Sequence, residues 1–168
     1  MTETCCTDAN FLNSCCPVNG EKGKRVQLIT LKSLLKPSAL EQLNPNTDYF
    51  FCGTPDCQVV YFNNEGQKFT TDQIKVPVFQ KDKELDVPVC YCFGWTRERI
   101  QREITQTGNS SAETSIRKHI KAKRCGCEIN NPQGSCCLAN VRQVRVSAKL
   151  ISRSIHDRTS SDKNNHCT

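Results

Sequence analysis

The stretch "YFFCGTPDCQVVYF", residues 49–62, reads as strand, turn, strand. Tyr49–Phe51 and Val59–Phe62 are aromatic and β-branched, the side chains that suit a pleated, half-buried surface. Gly53, Pro55 and Asp56 between them supply turn chemistry. Cys52 and Cys57 stand where the two strands meet that turn. A tight turn lets backbone N–H groups approach a thiolate, and two such turns can face each other around one ion, which is the logic of a structural zinc site. "CCPVNG", residues 15–20, offers the second turn, with Pro17 after Cys16 and Gly20 to close it. Cys15, Cys16, Cys52 and Cys57 are thus the candidate zinc ligands. The usual knuckle carries a further cysteine where this chain has Asn19. Cys16, Cys52 and Cys57 are therefore the three strong donors, and the fourth position is left to Cys15, Asp56 or water.

The whole chain agrees with a metal-stapled protein. Its 168 residues fit one domain or two small ones, and a hydrophobic content of 36% promises only a thin core. Thirteen cysteines are the obvious staples. No apolar run with a basic flank opens the chain, and no stretch nears the roughly 20 apolar residues needed to cross a bilayer. A cytoplasmic location is expected, where structural disulfides are rare and clustered thiols point to metals. The formal charge of +6 counts every thiol as neutral, so metal-bound thiolates would offset it. Lys and Arg are spread along the chain with few aromatics between them, so neither nucleic acid nor a membrane is an expected partner.

The organisation expected is α+β: a small β-rich zinc-binding lobe over residues 15–78, then a helical lobe over 87–150. A flexible leader (1–14) and a disordered tail (151–168) flank them, and the charged run "FQKDKELD" (79–86) connects the lobes. "RVQLIT" reads as a strand, and "LKSLLKPSALEQL" as short helical turns broken at Pro37. "NNEG" makes a turn, from which "QKFTT" returns as a strand. In the second half Thr96 can cap a helix bearing Ile100 and Ile104, and Gly108 can stop it. Ser110 and Glu113 offer a capping box for a second helix, with Ile116 and Ile120 on its buried side.

The remaining cysteines fall in this helical half. "VPVCYCFGWT" holds Cys90 and Cys92, and "RCGCEINNPQGSCC" holds Cys125, Cys127, Cys136 and Cys137. A C-x-C pair bites awkwardly on one tetrahedral ion but suits a sulfide-bridged iron cluster. Helix N-termini after Cys92 and after Cys137 would direct N–H dipoles at such an anionic centre.

Together "YFFCGTPDCQVVYF", "VPVCYCFGWT" and "CEINNPQGSCCLANV" resemble the N-terminal domain of the CopZ-type copper chaperones, over about residues 14–146. The resemblance implies one zinc in the β-rich half and one 2Fe–2S cluster in a helical half similar to the bacterioferritin-associated ferredoxin module. Carried onto this sequence, the cluster ligands are Cys90 and Cys92, one of Cys125 and Cys127, and one of Cys136 and Cys137, with Cys127 and Cys137 the expected members of those pairs. The family also carries copper on a C-x-x-C loop, and no two cysteines here stand at that spacing. The expectation is a non-enzymatic electron carrier or redox sensor in copper or heavy-metal handling. Its expected partners are a redox protein not identified by the sequence and, as an open question, copper ion. The rival reading is a zinc-only module that binds nucleic acid or protein through "IRKHIKAKR". Thioredoxin-like chemistry lacks its C-x-x-C, and His119, His156 and His166 suggest no Cys/His catalytic pair.

Overall fold

In the computed structural model, residues 14–161 are described, with side chains as far as 154. The chain forms two compact units. The first runs to Lys83 and takes in Gly126–Cys136; the second comprises Glu84–Cys125 and the chain from Cys137.

The first unit is built on an antiparallel sheet of four strands in sequence order: β1 (Lys24–Val26), β2 (Tyr49–Phe51), β3 (Val59–Asn63) and β4 (Lys68–Thr70). The register sets Val26 against Tyr49 and Phe51 against Tyr61. Successive strand side chains face opposite ways. In β2, Tyr49 and Phe51 accordingly enter the main core while Phe50 packs against the cysteine-bearing cluster on the other side. All of β3 is buried. A register shift between Val59 and Tyr61 puts the neighbours Val60 and Tyr61 into the same core, while Val59 and Phe62 join the thiols.

The main core is closed by α1 (Leu28–Leu34) and α2 (Pro37–Leu40). Here the structure departs from the expected strand "RVQLIT": the strand stops at Val26 and a helix begins at Leu28. Leu28, Leu31 and Leu34 recur every three residues, and that spacing overrides the shorter alternation upstream. Leu31 and Leu34 are buried, each such side chain contributing about 1.5–3 kcal/mol. Pro37 starts α2, and Lys36 before it is extended, as a residue preceding proline tends to be.

Gly126–Cys136, expected with the helical half, belongs to the first unit. Its helix α5 (Cys127–Asn130) packs on α1, where the buried Thr30 hydroxyl donates to the Glu128 carbonyl at 2.7 Å. The segment expected to be a plain connector is also partly built in. Val78 and Phe79 are buried, and the Lys81 and Asp82 N–H groups both donate to the Val78 carbonyl.

The second unit combines the hairpin β5 (Pro88–Cys90) and β6 (Trp95–Thr96) with helices α3 (Arg97–Thr107), α4 (Ala112–Lys121) and α6 (Leu138–Ser161). Both α3 and α4 pack on α6. Ile100, Ile104, Ile116, Val141, Val144 and Ala148 are buried. Thr96 caps α3 by accepting from the Arg99 N–H at 3.1 Å, and Gly108 ends it in the left-handed region.

The capping box at Ser110 and Glu113 does not form. The N-cap of α4 is Ser111, and its N–H and hydroxyl donate instead to the Glu103 carboxylate of α3. Glu113 is thereby left to pair with Arg117, Arg142 and Arg145. Residues 151–161, expected within a disordered tail, continue α6. Adding residues to an established helix costs little, and the buried turn at Val141–Ala148 supplies that start.

Candidate metal centre

The thiols of Cys16, Cys52 and Cys57 lie within 4.8 Å of one another. They are almost fully buried, at 2%, 1% and 6% exposure. The Cys16 and Cys57 sulfurs are 3.9 Å apart. Each of two turns brings hydrogen-bond donors to a sulfur. At Cys16 they are the backbone N–H groups of Val18 and Asn19; at Cys52 they are the N–H and hydroxyl of Thr54. The first turn closes with the Gly20 N–H donating to the Cys16 carbonyl at 2.8 Å, Gly20 taking a positive φ of 73°. The Cys52 N–H donates to the Val60 carbonyl at 2.9 Å, which anchors the second turn to β3. Phe62, Val59 and Phe50 wall the thiols.

Electrostatics differ between neighbours. Burial pushes the Cys16 thiol up, and the nearby Cys52 adds to that, against the two N–H donors. Burial also works to raise Cys52, but the Thr54 donors, the Lys81 charge and the Asn19 amide outweigh it, so Cys52 is held below the ordinary thiol range. The soft, buried, clustered donor set fits a thiophilic divalent ion such as zinc.

Three of the four expected zinc residues are thus together, and Cys15 is not among them. Cys15 pairs in extended fashion with Lys22, and an extended chain sends adjacent side chains to opposite sides. Cys16 therefore points inward, and the Cys15 sulfur is engaged in a disulfide. Asp56 is exposed in its turn and also lies outside the group. Asn19 does approach, as a donor: its Oδ1 accepts from the Glu21 N–H at 2.9 Å, which leaves Nδ2 directed at the Cys52 sulfur, 3.5 Å away. Lys81 was hidden in the run read as a connector. Its ammonium donates to the carbonyls of Thr54 and Cys57, at 2.8 Å each. The apolar pair Val78–Phe79 just before it was the available sign that this run folds back.

The second cysteine group is distributed as follows. Cys90 ends β5 and is buried, while Cys92 is half-buried in the hairpin turn. A two-residue strand separates Cys92 from α3, so that helix does not follow the thiols directly. Cys137 is buried and immediately precedes α6; Cys125 is half-buried. These four are in the second unit, whereas the buried Cys127 and the exposed Cys136 are in the first. Of the basic residues in the second unit, Arg102 pairs with Glu98, Arg99 lies over the Trp95 ring and Arg124 sits 3.5 Å from His119, which itself stacks on Phe93. Among the described residues no helix is long and apolar enough to cross a membrane.

Residues 13–75 match the family described as a zinc binding domain of CopZ type. The chain is 32% identical, over 122 residues, to the copper chaperone CopZ of Archaeoglobus fulgidus, covering 73% of this chain and 57% of that protein. It thus spans little more than half the length of that relative. Its fold also matches the crystal structure of the Archaeoglobus fulgidus CopZ N-terminal domain, with a TM-score of 0.64 and 28% identity over 77% of this chain and 96% of that one. Within the first unit, residues 13–75 are therefore similar to a CopZ-type zinc-binding domain, and the chain as a whole is similar in fold to the N-terminal domain of a copper chaperone.

Proposed function

We propose that this protein is a zinc- and 2Fe–2S-binding protein that carries single electrons, or senses redox state, in copper or heavy-metal handling. The observation that carries the metal reading is the gathering of three buried thiols, from segments distant in sequence, into one group. Cys16, Cys52 and Cys57 would hold zinc, with water as the fourth ligand. Such an ion would tie two turns of a small unit together, so its binding energy would be folding energy.

For the cluster we propose Cys90, Cys92, Cys127 and Cys137 as the thiolate donors. Support comes from the three sequence motifs and from burial: Cys127 is more buried than Cys125, and Cys137 is buried where Cys136 is exposed. Cys137 also stands at the start of the 24-residue helix α6, whose N-terminal dipole favours an anionic neighbour. When bound, the cluster supplies one-electron chemistry. The chain's own residues would position it and screen it from water. The similarity to a copper chaperone suggests copper handling as the setting. The C-x-x-C spacing of a copper-carrying loop does not occur in these 168 residues. We take the redox partner to be a protein of the same process.

The test is anaerobic purification followed by zinc, iron and acid-labile sulfide analysis, with electron paramagnetic resonance after reduction. The expected result is one zinc, two irons and two sulfides per chain, with a spectrum from a reduced 2Fe–2S centre. A colourless protein containing zinc alone would replace this reading with the zinc-only module.

A further inference from the structure

We propose that Lys81 is a positioning residue of the three-thiol centre, an outer cation that braces the Cys52–Cys57 turn and offsets the surplus negative charge of a divalent ion held by three thiolates. The proposal rests on the zinc reading above and adds to it a residue outside the matched zinc-binding segment, which ends at residue 75.

Charge balance makes the first part of the argument. Three thiolates and one divalent cation leave a net charge of about −1, and water as the fourth ligand does not change it. The sulfurs are almost wholly removed from solvent. A buried unbalanced charge is costly unless an opposite charge or hydrogen bonds compensate it. Asn19 and Thr54 offer dipoles only.

The geometry supplies the second part. The Lys81 ammonium is held by two carbonyls of the ligand turn, Thr54 and Cys57, at 2.8 Å each. One of those carbonyls belongs to a thiol-bearing residue. The backbone around Lys81 is set by its N–H bond to Val78, whose side chain lies in the main core. The lysine is thus delivered to the turn from a packed segment. Burial works against the Lys81 charge while all three thiols work to keep it, and Lys81 acts in return on Cys52. Groups around metal ligands that orient them and balance their charge commonly change metal affinity by 10–100-fold when removed.

Two functions of Lys81, brace and counter-charge, are separable by substitution in the full chain. Lys81→Gln keeps an N–H donor for the carbonyls and removes the charge; Lys81→Arg keeps the charge. Zinc affinity would be read by competition with a chromophoric chelator, and melting would be followed with and without zinc. Cobalt(II) would then be loaded in place of zinc to record the thiolate-to-metal charge-transfer band.

Lys81→Gln is expected to bind zinc about tenfold or more weakly, to show a smaller zinc-induced rise in melting temperature, and to move the cobalt band to longer wavelength, since the sulfur lone pairs lose a neighbouring positive charge. Lys81→Arg is expected to restore affinity and band position. Wild-type zinc affinity and an unshifted band in Lys81→Gln would overturn the proposal. So would a lowered apo melting point with an unchanged zinc-induced rise, which is what a purely structural brace predicts. Wild-type protein that takes up no zinc would overturn the zinc reading itself, and that failure would be visible before any substitution is made.

Discussion

The Tyr61 hydroxyl donates to the Pro132 carbonyl at 2.7 Å, joining residues 71 positions apart. Tyr61 lies in the centre of the sheet, and Pro132 in the Gly126–Cys136 segment that returns to the first unit. Lys24 to Ser135 and Gln80 to Gln133, at 2.6 Å each, join the same two parts. Tyr61→Phe would leave a buried carbonyl without this donor and should cost about 1–3 kcal/mol. Amide hydrogen exchange over residues 126–136 should accelerate in the variant. Wild-type protection there would mean that the remaining contacts, the Thr30–Glu128 bond among them, hold the segment without it.

Removing one thiol of the zinc group should unfold the first unit rather than trim its stability. Cys52→Ser and Cys57→Ser are expected to lose the cooperative melting of residues 15–75 and to become insensitive to added zinc. In wild type, zinc at 1,000 times its Kd should stabilise the folded form by about 4 kcal/mol. Unchanged melting in either variant would exclude that thiol from the site.

Gly23 is needed for space. A Cβ there would lie 2.6 Å from the Phe62 ring and 2.9 Å from the Phe50 Cβ. Those rings stack at 5.7 Å beside the thiols, so neither can swing clear without opening the wall of the site. Gly23→Ala should destabilise the first unit by about 1–3 kcal/mol and weaken zinc binding with it. Adding Phe62→Leu should recover part of the loss, as judged by urea denaturation.

Glu113 should make the second unit acid-sensitive. Its carboxyl is held down at about 2, first by the Arg142 hydrogen bond and then by that of Arg117, with Arg145 contributing charge. A depressed pKa contributes stability that is fully present above the unfolded value, near 4.5, and is lost as pH falls towards about 2. Glu113→Gln should therefore be less stable than wild type at pH 6, and the two should converge between pH 4.5 and 2. Parallel denaturation curves across that range would show the carboxylate to be energetically idle.

The adjacent thiols Cys136 and Cys137 should respond differently. Cys137→Ser is expected to bleach or strongly shift the visible bands, and Cys136→Ser to leave them as in wild type. The reverse result would transfer the ligand role to the exposed thiol and require the chain around it to rearrange on binding the cluster.

Local pattern made much of this protein legible before its fold. Runs of aromatic and β-branched residues at 49–51 and 59–62 are sufficient to indicate paired strands, because such side chains suit a pleated, half-buried surface. Thr96, Gly108 and the isoleucines of α3 announce a helix for equally local reasons. The turn-bound Cys16, Cys52 and Cys57 could be named as candidate donors from the residues around them. Tertiary packing decided the rest. The choice between Cys15 and Cys16 depended on which side of an extended segment met the sheet. Leu28 joined a helix because Leu31 and Leu34 had a core to fill. Glu113 left its cap because Glu103 and three arginines offered better partners to each side. Gly126–Cys136 joined the first unit, and Lys81 reached the ligand turn, through contacts between residues far apart in sequence. Such contacts depend on which surfaces burial brings together, and no short window of sequence contains both partners.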